Sequence, residues 1–287
     1  MSSNPNPGTA RARLAAHCLL LLLVWISPGH AQPANPPQTD GRWLRFGVLP
    51  LQSPTKLADM FMPLVEYLQR SLHRPVQFVT APSFTIFMQR VMHHDYDIVY
   101  LNPLLFTQAE KAGYDAVAKV LGEPFTGILV VRRDSPLHGI DPAQWHKGLI
   151  VGFPDPRAYA ATVMTRGYLR THGVDVTHCC RIRYFGSQDS VLMALNSGLV
   201  GVAGTWWPSL RSMPPAIRRN LRVIAETPPQ PQMPIAVLDS LPAALRQDIT
   251  ASLLALHTHP RDRAILSKLG FPQGFIRARN AEYREVK

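Results

Sequence analysis

The residues best placed to do chemistry sit where strands run into helices. "VGFPDPRAYAATVMTRGYL", residues 151–169, reads as a buried strand, a turn and a helix. Such a helix start offers an anion a row of backbone N–H groups and the positive end of the helix dipole. Its first residues are Arg157, Ala158, Tyr159, Ala160 and Ala161, so no Ser, Thr or Gly stands among them. Arg157 is the side chain there whose guanidinium can pair two oxygens at once. For catalysis the chain has little: no G-x-S-x-G elbow, no P-loop and no dinucleotide glycine pattern. The histidine clusters, His93-His94-Asp95 and His257-x-His259, lack the i, i+4 spacing that sets two metal ligands on one helix face. The expectation is therefore a binding protein rather than an enzyme, with no catalytic residue, metal or cofactor.

The elements that must hold this junction alternate along the chain. Strands are expected at Leu44–Leu51, Val76–Thr80, Ile98–Leu101, Ala116–Leu121 and Ile128–Arg132, and then at Leu149–Phe153, Ile182–Phe185, Val200–Thr205, Leu221–Ala225 and Ile235–Leu238. Between them, Leu57, Met60, Phe61, Leu64, Leu68 and Leu72 repeat at helical spacing, with Pro63 expected to kink that helix. Further helices are expected over Arg157–His172, Gln188–Ser197, Pro242–His257 and Asp262–Lys268. Strand–helix alternation of this kind implies an α/β fold with parallel sheets covered on both faces. In open α/β sheets a ligand binds beyond the carboxyl ends of the strands. Five loops meet that rule, and they carry Ser53 and Thr55, Asn102, Arg157 to Tyr159, Ser187 and Gln188, and Thr205 with Trp206. Ser53 and Thr55 can cap a helix as readily as touch a solute, and Asn102 can hold its own turn.

Charge and length frame the rest. Arg11 and Arg13 precede an apolar run from Leu19 to Ile26, and Gly29-His30-Ala31 follows. That is a secretory leader, with cleavage expected after Ala31 and a flexible lead-in over 32–41. The run is too short to span a bilayer, which needs about 20 apolar residues. Loss of the two arginines lowers the formal charge from +11 to +9, still basic and favourable to anionic partners. The basic residues are scattered, and export removes nucleic acid from the expected partners. After cleavage Cys179 and Cys180 are the remaining cysteines; two buried thiols are expected, with a vicinal disulfide left open. Extended segments at Ile128–Arg133 and Met233–Leu238 bracket about 100 residues, a domain-sized block. The expected division is lobe 1 over 42–132 and 233–287, with lobe 2 inserted over 133–232 and a cleft between them.

Several stretches together carry a resemblance. "LRFGVLPLQSPTKLADMFMPLVEYLQRSLHRPVQFV", "YDIVYLNPLLFTQAEKAGYDAVAK", "GILVVRRDSPL", "FPDPRAYAATVMTRGYL" and "GSQDSVLMALNSGLVGVAG" occur in that order. The chain resembles, from Leu44 to Phe275, the phosphate/phosphite/phosphonate periplasmic binding proteins of ABC transporters. The resemblance implies a type II periplasmic-binding fold, two α/β lobes joined by two crossover strands and closing over a small solute. It also implies a periplasmic location and a soluble monomer that delivers an anion to an inner-membrane ABC permease. The alternative partner is a membrane sensor kinase.

The same resemblance locates the ligand positions and shows how they depart. Where such proteins usually carry Ser-Thr-Ser-Gly, this chain has Ala158, Tyr159, Ala160 and Ala161; Phe84 stands where tyrosine is common, and Gln188 where histidine is. The acidic residue that meets a ligand amine falls near Thr205 and Trp206. Each lost hydroxyl forfeits a hydrogen bond to a charged group worth about 1.5–3 kcal/mol. Backbone N–H groups and a dipole term of about 0.3–1 kcal/mol survive, since they need no side chain. Phe84, Tyr100, Tyr159, Trp206 and Trp207 are expected to line the cleft with aromatic faces. That set suits an oxyanion carrying an organic body better than bare phosphate.

Overall fold

The computed structural model describes residues 42–286. The expected leader and lead-in fall outside the described residues. In chain order the elements are β1 (Leu44–Val48), α1 (Pro54–Leu72), β2 (Val76–Val79), α2 (Phe84–Met92), β3 (Ile98–Tyr100), α3 (Pro103–Lys111), β4 (Tyr114–Val120) and β5 (Ile128–Arg132). There follow β6 (Ile150–Phe153), a π-helical segment (Tyr159–Met164), α4 (Thr165–Thr171), α5 (Val176–Cys179), β7 (Arg181–Tyr184), α6 (Gln188–Asn196) and β8 (Val202–Thr205). The chain closes with α7 (Trp207–Ser212), α8 (Pro215–Arg219), β9 (Leu221–Glu226), β10 (Pro234–Leu238), α9 (Ala243–Ala255), α10 (Arg263–Leu269) and β11 (Phe275–Arg277).

Two sheets result. A six-stranded sheet has the order β11-β4-β10-β3-β1-β2, and a five-stranded sheet the order β7-β6-β8-β5-β9. The strands nearest the expected ligand loops are parallel: β1 to β2 and β3, and β6 to β7 and β8. The sheets are mixed rather than parallel, because β10 runs antiparallel to β3 and β4, and β5 antiparallel to β8 and β9. Each of those reversals follows a passage of the chain from one sheet to the other. The first passage, 121–127, precedes β5, so 128–132 pairs with the inserted strands and not with the first block, where it was expected. The second, 227–233, precedes β10. An isolated antiparallel bridge, Phe125 to Gln230, ties the two passages together.

Local chemistry explains the elements. Phe46 and Val48 of β1 are fully buried on one face, and Gly47 lies buried against the Tyr96 ring on the other, so this part of the strand is covered on both faces. Ser53 caps α1, accepting from the Lys56 N–H at 3.4 Å, and Pro54 occupies the first helical position that proline tolerates. Leu57, Phe61, Leu64 and Leu68 form its buried stripe, and the helix runs on through Pro63 as far as Leu72. One apolar cluster surrounds the six-stranded sheet, and two others flank the five-stranded sheet on opposite sides. Among the described residues no helix is long and apolar enough to cross a membrane.

Candidate functional site

The β6–helix junction starts with a wide turn. Asp155 Oδ1 accepts from the Arg157 N–H at 2.7 Å, its carbonyl accepts from the Ala158 N–H at 3.1 Å, and Thr162 Oγ1 donates to that same carbonyl at 2.7 Å. The first helical turns are π-helical: the Ala158 carbonyl accepts from Val163 N at 3.2 Å as well as from Thr162 N at 2.8 Å. The segment lies directly on two strand-end glycines. A Cβ on Gly127 would meet the Ala160 carbonyl oxygen at 2.1 Å, and one on Gly204 would meet that of Ala161 at the same distance. Both glycines therefore permit a backbone approach that no side chain allows. Thr165 Oγ1 donates to the Ala161 carbonyl at 2.6 Å and holds the widened turn from the other side.

Loops from both sheets meet over this junction. Asn102 caps α3 through Oδ1, which accepts from Leu105 N at 2.9 Å, while its Nδ2 donates to the Arg157 carbonyl at 3.0 Å. Gln188 N donates to the Leu51 carbonyl at 3.0 Å, and Gln188 Oε1 accepts from Thr205 Oγ1 at 2.8 Å. Lys56 Nζ reaches Asp189 Oδ1 at 3.1 Å and Ser212 Oγ at 3.0 Å. Asn102, Ala158, Ala160, Gln188, Thr205 and Trp206 are thus buried within one region.

Other expected residues are placed differently. Phe84 is 1 % exposed and packs in the core of the six-stranded sheet, since it begins the buried stripe of α2. Thr55 is exposed on the first turn of α1. Ser187 caps α6, accepting from Ser190 N at 3.2 Å. Arg157 is exposed, although its backbone takes part in the turn. Tyr159 does not stand open toward a solute. Its ring stacks on Phe125 with centroids 6.1 Å apart, and its hydroxyl donates to Gln230 Oε1 at 3.1 Å. Trp206 continues the same wall edge-on to Phe125 at 5.6 Å, while Trp207 is half-buried, with its N–H on Glu226.

Sequence reasoning missed four residues of this region, in two groups. Phe125 and Gln230 belong to the passages between sheets, where no periodicity marks a residue as structural. Gly127 and Gly204 did carry a signal, because a glycine within or beside a strand marks close backbone approach.

Burial shapes the electrostatics. The Asp155 carboxyl is held above the usual aspartate range by burial, against the opposing pull of the Arg157 N–H and guanidinium. Burial likewise pushes the Tyr100 hydroxyl far up, so it stays neutral. A cavity of about 400 Å³ lies between the start of α1, the end of β3, α7 and the end of α10 with the residues that follow it, and Trp206 stands in its wall. Among the described residues no group of three or more His, Cys, Asp or Glu side chains is arranged to hold a metal ion. Cys179 and Cys180, at the end of α5, are half-buried free thiols with sulfurs 2.8 Å apart, where two buried thiols are expected from the sequence.

Comparison with known proteins agrees with this architecture. The family model described as "ABC transporter, phosphonate, periplasmic substrate-binding protein" matches residues 46–283. The phosphonates-binding periplasmic protein of Escherichia coli is 23% identical over 269 residues, covering 91% of this chain and 78% of that protein. A binding component of an ABC phosphonate transporter from Pseudomonas aeruginosa superposes with a TM-score of 0.78 at 17% identity, over 84% of this chain and 83% of that one. PhnD1 of Prochlorococcus marinus, solved with methylphosphonate, gives 0.77 at 18% identity, over 86% and 96%. These neighbours share the type II periplasmic-binding fold. Two mixed sheets, two passages between them and a match across most of the chain lead to one conclusion: the protein belongs to the family of periplasmic substrate-binding components of phosphonate ABC transporters.

Proposed function

We propose that this protein captures an organic oxyanion of the phosphonate class between its two lobes and delivers it to an ABC permease in the inner membrane. The carrying observation is the β6–helix junction, where Asn102 and Gln188 bring loops of both sheets together over a helix start made of alanines. Backbone N–H groups and the helix dipole are the surviving anion-binding elements there. Arg157, exposed at the entrance, supplies a further cation when a solute arrives. Without side-chain hydroxyls, and with Asp155 alongside, a dianionic inorganic phosphate is disfavoured relative to an anion whose organic part gains from the neighbouring aromatic wall. The family match names a transporter component, which supports the permease over a sensor kinase as partner. Export by the 1–31 leader and a monomeric state complete the reading.

The test is calorimetric titration of the mature protein with phosphate, phosphite, methylphosphonate, arylphosphonates, sulfonates and small carboxylates. Organic phosphonates or sulfonates are expected to bind more tightly than phosphate and to raise the melting temperature. Tightest binding of inorganic phosphate, unaltered by Ala158→Ser, would overturn the reading.

A further inference from the structure

The two ends of the five-stranded sheet carry different chemistry. The proposed solute loops lie at the end where Ile128 of β5 faces Thr205 of β8. At the other end of β5, about 13 Å along the strand, stand Arg132 and Arg133. The antiparallel partner β9 starts there, with Val131 opposite Arg222, and the Arg133 N–H donates to the Asn220 carbonyl at 2.6 Å. Just before β9, α8 ends in Arg218 and Arg219. Strand pairing thus gathers Arg132, Arg133, Arg218, Arg219 and Arg222 at one end of the sheet.

Little acid offsets them. Arg132 pairs with Asp134, Nε to Oδ1 at 3.1 Å and Nη2 to Oδ2 at 2.9 Å. Arg133, Arg218 and Arg222 turn instead to neutral main-chain oxygens. Arg133 Nε donates to the Arg219 carbonyl at 2.8 Å, Arg218 Nη1 to that of Arg211 at 3.0 Å, and Arg222 Nη2 to those of Ser135 and Leu137 at 2.7 and 2.9 Å. Among the described residues Arg133, Arg218, Arg219 and Arg222 form no ion pair. A carbonyl fixes a guanidinium without cancelling its charge, so this end keeps a positive field. Arg133, Arg218 and Arg219 are exposed, and the field faces solvent.

An apolar residue belongs to the same end. Leu199 lies in the turn from α6 into β8 and is 55 % exposed. Because β8 runs antiparallel to β5, its beginning meets the end of β5. Gly198, next to Leu199, abuts Arg132, whose Nη1 would lie 3.2 Å from a Cβ placed there. A leucine held out at a turn among guanidiniums suits the boundary between lipid headgroups and acyl chains. There each guanidinium can pair two phosphate oxygens, and the leucine gains by leaving water. A free anion makes no use of that leucine.

We propose that this end of the lobe is a docking surface for an anionic phospholipid bilayer, with the arginines on headgroup phosphates and Leu199 in the interface. The proposal rests on the reading above only for the periplasmic setting, where the outer face of the inner membrane is the bilayer at hand.

Co-sedimentation of the mature protein with phosphatidylglycerol vesicles and with phosphatidylcholine vesicles tests it, with no phosphonate present. Binding to the first, lost at high salt, and none to the second are expected. Arg133→Gln/Arg218→Gln/Arg219→Gln should weaken phosphatidylglycerol binding about a hundredfold, and the matching Lys replacements should hold it within a few-fold. Leu199→Ser should weaken it several-fold with no charge removed. Arg70→Gln/Arg261→Gln/Arg277→Gln removes the same charge from exposed positions around the six-stranded sheet and should leave binding near that of the wild type. No binding to phosphatidylglycerol, equal binding to the two lipids, equal loss in the two Gln variants, loss in the Lys variant or an unaffected Leu199→Ser would each overturn the proposal. Binding of poly-glutamate but not of the vesicles would give the surface to an acidic protein and also overturn it. Methylphosphonate titration is read separately and decides the solute reading whichever way the vesicles behave.

Discussion

The turn sets the Asp155 carboxyl beside the N–H groups proposed to meet an anion, and its burial raises its proton affinity. Because the folded state holds that proton more tightly than the unfolded chain, this group's contribution to stability declines as pH rises from the ordinary aspartate range through the raised folded value. Asp155→Asn keeps an oxygen for the Arg157 N–H and removes the charge. Urea midpoints of wild type and Asp155→Asn are expected to diverge in favour of the variant as pH rises, and methylphosphonate should bind the variant more tightly. A constant difference between the two across the acid range would count against the buried carboxylate. A second residue-scale outcome concerns Cys180, whose thiol is pushed up to about 12 by burial first and by Cys179 second. At pH 8 it should resist iodoacetamide under conditions that alkylate an ordinary cysteine, read by peptide mass spectrometry.

At the scale of the element, the π-helical start of the 159–171 helix is what distinguishes this junction from a plain helix N-terminus. Its backbone rests on Gly127 and Gly204, with room for no Cβ at either. Gly204→Ala must displace the helix or bend β8, and a loss of about 3 kcal/mol is expected from overpacking against backbone. Chemical denaturation measures it, and an unchanged midpoint would mean that the contact yields freely. Tyr159 binds the same helix to the passages between sheets. Tyr159→Phe keeps the stack on Phe125 and loses the bond to Gln230, an expected cost of about 1 kcal/mol.

At the scale of the whole molecule, the polar links among the described residues that join the loops of the two sheets include Asn102 to the Arg157 carbonyl, Gln188 N–H to the Leu51 carbonyl, and Lys56 to Asp189 and Ser212. The Lys56–Asp189 pair is partly exposed, so it contributes about 0.2–1 kcal/mol. That is small for stability yet enough to shift several-fold the balance between the closed and open forms that the proposed function requires. Lys56→Met is expected to enlarge the radius of gyration of the unliganded protein by small-angle scattering, with a saturating organic phosphonate restoring the wild-type value. An identical radius in both unliganded proteins would place the closure elsewhere.

Much of this protein was legible from periodicity and residue type alone. The α1 stripe, the cap at Ser53, the turn held by Asn102 and the strand–helix alternation are set by interactions within a few residues, so their signal is local. The junction at Pro154–Tyr159 was visible for the same reason. The antiparallel return of β5 and β10, the turning of Tyr159 toward Gln230 and the burial of Phe84 were not, because each depends on which distant surface the chain meets. Sequence by itself determined the family, most of the longer strands and helices, and the missing hydroxyls, but not α5, α7, α8, β11 or the π-helical turns. Tertiary structure alone decided which of the remaining polar groups face one another and left Gln52 Oε1 without a donor, since the partners of a buried atom are chosen by packing across the chain rather than along it.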